Sequence, residues 1–266
     1  MGEVNYAPLI DDMRWSHSRI EAYESCPYRW YLQYIRKCKD KDNFYASYGS
    51  FMHRLIEGYY NGELTKAEML TTFLKDFQKE VKGVRPKEST LKKYIDGGVE
   101  YLKSFEPFPY KMVAVEKEVS FTIGGKEFKG FIDFEGIDES DGEIVIGDNK
   151  SRDLRPRSGR EKPTKKDEEL DEVFRQLYLY SVAIEQEYGK LPKGLFLNCF
   201  RTGVFIYEPF DMEAYEAAKQ WALDRISKIR EDSDFEPVLN PFACFWICGV
   251  SDSCIYYLED KKSKRR

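Results

Sequence analysis

Residues 126–150 read KEFKGFIDFEGIDESDGEIVIGDNK. Two β-rich runs, 126–138 and 142–151, flank the turn-forming Glu139-Ser140-Asp141-Gly142, and a third run, 111–123, precedes them across Gly124-Gly125. Gly pairs and Asp-Gly between β-rich runs are hairpin signals, so the three form consecutive antiparallel strands. Asp133 and the tripeptide Asp148-Asn149-Lys150 fall at or near the ends of neighbouring strands. Such neighbours bring two carboxylates within a few ångströms. Two hard oxygen ligands that close repel unless a cation sits between them, and Mg²⁺ or Mn²⁺ suits the set. Lys150 lies two residues beyond Asp148, so its side chain leaves on the same face. There it could orient or activate a water beside the metal and offset charge building on a phosphate. A salt-bridged strand end is the bland alternative, because D-x-K by itself is a frequent coincidence.

The flanks are helical. Upstream, 16–35 opens with hydroxyl caps at Ser16 and Ser18 and repeats Ile20, Tyr23, Trp30, Tyr31 and Tyr34 at helical spacing. A second helix spans 46–62, ended by Asn61-Gly62; a third spans 65–81, and a fourth, weakened by Gly97-Gly98, spans 89–105. Downstream, 167–189 carries Val173, Leu177, Tyr180 and Ile184 on one side, followed by a strand pair over 194–209 and a helix over 211–230. No repeat or long linker interrupts the series. It predicts one α/β domain over 1–266 with a central mixed sheet. Its parts are a helical region (15–106), a core (110–210), a C-terminal helix and cysteine segment (211–258) and a basic tail (259–266).

The chain has 266 residues, 42% hydrophobic and 15% aromatic, enough to build a substantial core. The first fifteen residues lack a basic segment followed by an apolar one, and no myristoylation signal is present. No run approaches the length of a membrane span. The expectation is a cytoplasmic protein with no membrane contact. In a reducing compartment six cysteines point to metal or catalysis more than to disulfides. Net charge is −5, which on its face argues against a nucleic-acid partner. Yet residues 149–166 hold eight Lys/Arg against two acids, and the chain ends KKSKRR. Local patches, not the net value, set attraction to a phosphate backbone. A solvated loop and a solvated tail are the alternatives.

Four short motifs occur in one order: Gly49-Ser-Phe-Met-His53, Gly130-Phe-Ile-Asp133-Phe-Glu-Gly136, Asp148-Asn149-Lys150 and Gln176-Leu-Tyr-Leu-Tyr180. Together, on a helix–strand–strand–helix series, they resemble the PD-(D/E)XK nuclease superfamily and within it the RecB-like branch, over residues 16–258. The resemblance implies a restriction-endonuclease-like core with N-terminal helices. It implies that His53, Asp133, Asp148 and the carbonyl of Asn149 hold Mg²⁺ or Mn²⁺, with Lys150, Gln176 and Tyr180 completing the catalytic set. It implies hydrolysis of DNA phosphodiesters by metal-activated water. Glu57, one turn after His53, is either a supporting carboxylate or a solvated charge. Arg152, Arg155, Arg157, Arg160, Lys162, Lys165 and Lys166, in the loop between the metal strand and the last motif helix, would overhang the site and meet DNA. Without a helicase P-loop, the expectation is an exonuclease on single-stranded or frayed ends, served by a helicase, recombinase or CRISPR integration partner. A non-catalytic DNA-binding or assembly module on the same fold is the rival.

The remaining signal is the cysteines. Cys244, Cys248 and Cys254 crowd one C-terminal stretch, and Cys26 stands in Cys-Pro-Tyr in the first helix. Four thiolates suit either an iron–sulfur cluster or structural zinc, and spacing leaves both open. A subset of RecB-like nucleases, including CRISPR-associated and phage-borne ones, joins one early and three late cysteines on a 4Fe–4S cluster. The resemblance therefore implies a C-terminal Fe–S clasp, although C-x3-C here departs from the usual C-x2-C. Cys199 reads as core and Cys38 as an exposed thiol or an alternative ligand.

Overall fold

The computed structural model describes residues 5–263. The β-rich runs become β1 (Lys111–Ile123), β2 (Lys126–Asp138) and β3 (Glu143–Asn149), each antiparallel to the last. Lys150 already lies outside β3, one residue past its end. After the basic loop, α7 (Lys165–Tyr188) crosses over to β4 (Gly194–Cys199), which lies parallel to β3, and β5 (Val204–Pro209) returns antiparallel. The sheet thus runs β1-β2-β3-β4-β5 and is mixed, as expected. One parallel pair joined by a helical crossover is the usual α/β solution for burying a sheet face.

Alpha-7 covers that face. Leu170, Phe174, Leu177 and Ile184 of the helix pack with Val119, Phe121, Phe128, Ile132, Ile146 and Leu197 of the strands. A capping box from Thr164 and Asp167 starts the helix, and Gly189, with φ 70°, ends it in a left-handed turn where glycine carries no Cβ penalty. Outside α7 lie α1 (Ala7–Asp11), which sequence reading had missed, and α8 (Met212–Glu231). Phe108, Phe134, Val145 and Phe196 fill the opposite face. A separate helical layer of α4 (Phe44–Tyr60), α5 (Lys66–Glu80) and α6 (Glu88–Lys103) closes around Tyr48, Phe51, Phe73 and Phe200. Gly97 and Gly98 do not weaken α6 for nothing. A Cβ on Gly98 would stand 2.6 Å from the Phe73 ring, and one on Gly97 would stand 3.0 Å from the Arg201 carbonyl.

Two sequence expectations need correction. The helix expected over 16–35 is broken into α2 (His17–Ser25) and α3 (Pro27–Trp30), the latter running into a π-turn, Tyr31–Ile35. Cys26 is extended, with φ −170° and ψ 109°, because a residue before proline is pushed out of the helical region. The basic tail is not free from residue 259. Residues 259–263 finish α9 (Ile255–Ser263), and 264–266 lie outside the described residues.

Candidate active site

Strand β2 runs past β3, which pairs only with Phe134–Asp138. The two strands part there, and a cleft of about 800 Å³ opens beside them, roofed by α4 and the start of α2. His53, Asp133, Asp148, Asn149, Lys150, Gln176 and Tyr180 all line it. So do Gly49, Glu57 and Arg152.

The β2–β3 register, extended one step past Phe134↔Gly147, sets Asp133 opposite Asp148. Both are buried, at 8% and 4% exposure. The Asn149 amide donates to Asp133 Oδ2 at 2.7 Å. His53, from α4, brings Nε2 to 2.9 Å from the Asn149 carbonyl and Nδ1 to 3.4 Å from both Asp133 Oδ2 and Glu116 Oε1. Burial raises the Asp133 carboxyl well above the usual range, and the neighbouring Asp148 raises it further. Burial alone would depress His53, but Asp133, Glu116 and Asp148 outweigh it and lift the imidazole to about 9. Such a crowd of carboxylates would be stabilised by a bound cation.

Lys150 is held on the far side of this group. Its ammonium pairs with Asp148 Oδ2 and donates to Gln176 Oε1 at 2.8 Å. Gln176 Nε2 in turn donates to the Tyr180 hydroxyl at 3.3 Å. The i, i+4 spacing on α7 thus builds a relay that aims the lysine. Burial raises the Tyr180 phenol, which stays neutral. Its ring packs against Gly130: a Cβ there would come within 2.3 Å of it. Asn149 turns its side chain away, its Oδ1 accepting from Asn198 Nδ2 at 2.7 Å, so that its carbonyl remains with the site.

Glu116 is the residue that sequence reading missed. It has φ 47°, a left-handed value rare outside glycine. The packing changes face here on both strands: Val119 and Phe121 of β1 and Ile132 of β2 pack with α7, whereas Val115 and Phe134, their partners in parity, pack on the opposite face. At this change of face Glu116 turns its carboxylate to His53 and Asp133. Ligand atoms of these three lie within 4.8 Å of one another, the one such group among the described residues. Asp148 Oδ2 adds a buried oxygen that accepts no hydrogen bond beyond its ion pair with Lys150. This oxygen-rich set with one imidazole fits a hard divalent cation. Glu57 stays half-buried at the rim, its carboxyl raised by burial and by Glu116.

The basic residues of the loop scatter. Arg152 lines the cleft and pairs with Glu21 at 3.3 Å. Arg157 lies instead in a larger groove, about 1180 Å³, between α7, β5 and α8, clamped by Glu208 and Asp171. Arg155 pairs with Asp153 and Lys166 with Glu169, while Arg160, Lys162 and Lys165 are exposed outside the cleft lining.

The family model of the PD-(D/E)XK nuclease superfamily matches residues 14–255. The chain belongs to that superfamily. No curated protein matches it. Among solved structures, a proposed exonuclease from Eubacterium rectale superposes with a TM-score of 0.52 at 14% identity, over 89% of this chain and 88% of that one. At that identity the likeness concerns the fold. A second structure, of SSO0001, covers 90% of this chain and 85% of its own at 16% identity, with a TM-score of 0.37. No described helix is long and apolar enough to cross a membrane.

The cysteines meet at a second place. Cys26, Cys244, Cys248 and Cys254 line one small cavity of about 120 Å³ between the α2–α3 junction and the C-terminal segment. The extra residue of C-x3-C is taken up by a π-turn, Ala243–Ile247, in which the Cys248 amide donates to the Ala243 carbonyl at 2.8 Å. Cys26 Sγ accepts from the Arg29 and Val238 amides, at 3.4 and 3.3 Å, and Cys254 Sγ from Tyr257 at 3.5 Å. Cys38 packs near Cys248 and Val250, and Cys199 is fully buried in β4, where burial pushes its thiol up to about 12.

Proposed function

We propose that this protein is a divalent-metal-dependent deoxyribonuclease, acting as an exonuclease on single-stranded or frayed ends. The observation that carries the reading is the meeting of His53, Glu116, Asp133 and Asp148 with an aimed lysine in one cleft. A bound Mg²⁺ or Mn²⁺ supplies Lewis-acid stabilisation and lowers the pKa of water at such a site. The chain's own residues do the rest. His53, Glu116, Asp133, Asp148 and the Asn149 carbonyl hold the cation. Lys150, steadied by Gln176 and Tyr180, keeps a positive charge where negative charge grows on the phosphate, and a hydrogen-bond donor that would orient the attacking water. Arg152, at the cleft wall, attracts the backbone.

The cysteine cavity supports a 4Fe–4S cluster as a structural clasp. Tetrahedral zinc with bonds of about 2.3 Å would need sulfurs roughly 3.8 Å apart. Among the described residues no three of these sulfurs fall within 4.8 Å of one another. A cluster that keeps its ligands farther apart suits the cavity better.

The test is wild type against Lys150→Ala on end-labelled DNA with Mn²⁺. Removal of one pre-aimed charged donor should lower kcat by about 10²–10³-fold with DNA binding retained. An undiminished rate in the variant would overturn the assigned site, and a wild type unable to cut any DNA would overturn the function.

A further inference from the structure

We propose that the open edge of β2 is a track for single-stranded DNA, on which the ring of Phe131 stacks a base beside the scissile phosphate and Lys129 holds the next phosphate. The inference rests on the nuclease reading above. Lys129, Phe131 and Asp133 recur at every second residue of β2, and all three line the cleft. Two residues of strand advance about 7 Å. An aromatic ring and an ammonium therefore stand at an interval comparable to one extended nucleotide, and the metal-holding carboxylate of Asp133 lines the same cleft.

The exposure of Phe131 is the unexplained observation. Large rings in this chain are mostly buried, yet Phe131 is 49% exposed at the mouth of the reaction cleft. Its backbone is nevertheless held. Trp15 bridges β2 just before it: the Trp15 amide donates to the Glu127 carbonyl and the Lys129 amide donates to the Trp15 carbonyl, both at 2.8 Å. The Tyr180 ring presses on Gly130 from the other side. A ring displayed in water from a rigid backbone is a stacking platform at small entropic cost.

Charge decides what the ring receives. Glu118 is its cross-strand partner, and a carboxylate there repels phosphate, so the neutral base belongs at Phe131. Two residues along, Lys129 is the cleft cation with no acid partner among the described residues; Lys150, Arg152 and Arg54 are engaged by Asp148, Glu21 and Glu80. A phosphate meets an available ammonium at that position. A base inside a duplex has both faces stacked and cannot lie on the ring, so the track selects unpaired strands over duplex interiors.

Equilibrium binding of a labelled single strand and of a closed circular duplex carrying the same sequence, with Ca²⁺ replacing Mn²⁺, tests this. Phe131→Ala should weaken single-strand binding by about 5- to 150-fold, the equivalent of ~1–3 kcal/mol for one stacked base, and leave the duplex unaffected. Phe131→Trp should restore it. An abasic nucleotide scanned along the strand should weaken wild type at one position and leave Phe131→Ala indifferent there. Lys129→Ala should lower the salt dependence of single-strand binding by about one counterion. Single-strand affinity unchanged in Phe131→Ala, or an equal abasic penalty in both proteins, overturns the track while cleavage by wild type upholds the nuclease. A wild type that neither binds nor cuts DNA overturns both.

Discussion

Replacing Glu116 separates two effects that a static picture leaves joined. In Glu116→Gly, relief of the left-handed backbone at φ 47° should gain about 1 kcal/mol. The greater freedom of glycine in the unfolded chain costs a similar ~0.5–1 kcal/mol, so the metal-free protein should melt close to wild type. Metal binding should respond very differently. A cation at one hundred times its Kd stabilises the native state by about 2.7 kcal/mol, which for a chain of this size is roughly 5–10 °C in Tm. Loss of an outer partner of a metal ligand typically weakens binding by about 10–100-fold, and loss of a carboxylate ligand should reach the upper end. At the same Mn²⁺ concentration the variant then gains only about 0.4 kcal/mol, or a degree or two. Melting curves with EDTA and with Mn²⁺, for wild type, Glu116→Gly and the isosteric Glu116→Gln, make the comparison. Equal Mn²⁺ shifts in all three proteins would remove Glu116 from the metal site. A large loss of metal-free stability in Glu116→Gly alone would show that the left-handed turn is not strained.

In the absence of metal, His53 should confer pH dependence on stability. Burial pulls its imidazole down, but Asp133, Glu116 and Asp148 raise it to about 9. A folded value above the unfolded one gives stability that is complete below about pH 6.5 and is lost as pH rises through about 9. Urea titrations in EDTA should follow that slope, His53→Asn should flatten it, and a wild type growing more stable across the window would contradict the assignment. Gly130→Ala forces the Tyr180 ring away from a Cβ that would otherwise stand 2.3 Å from it. Misaiming the Gln176–Lys150 relay in this way should cost about 10²-fold in kcat, and an unchanged kcat in single-turnover assays would break the link. Protein purified without oxygen should show the broad visible absorption of an iron–sulfur cluster. Cys248→Ser should lose it and Cys38→Ser keep it, whereas zinc without iron on elemental analysis would replace the cluster.

Much of this arrangement was legible because short-range rules govern it. Glycine pairs and Asp-Gly turns delimit β1 and β2 to the residue, and the tight β2–β3 turn makes the register that faces Asp133 with Asp148 almost obligatory. Gln176 and Tyr180 reach the same cleft by simple helical spacing. Glu116 was illegible for a different reason. In Glu116-Lys117-Glu118 it reads as one more solvated strand charge, and only a local change of face turns it to the metal site. The break at Cys26 was written in Pro27, but aromatic periodicity across it, from Tyr23 to Tyr34, disguised the stop. Arg157 shows the limit of counting charges. It sits in a basic run, yet Glu208 and Asp171, from β5 and α7, engage it away from the cleft.

The cysteine cavity has a consequence for biogenesis. One wall comes from the α2–α3 junction and the other from residues 237–257, about two hundred residues further along the chain. A cofactor held by all four cysteines could be seated only after both segments had been synthesised and had found each other. Closing a ring of more than two hundred residues would then remove about 5 kcal/mol of chain entropy from the unfolded state. A chain cut short before Cys244 would carry every residue of the cleft and still lack the lock. Cofactor insertion would in that way distinguish chains that reach beyond Cys254 from shorter fragments, withholding full stability from the latter.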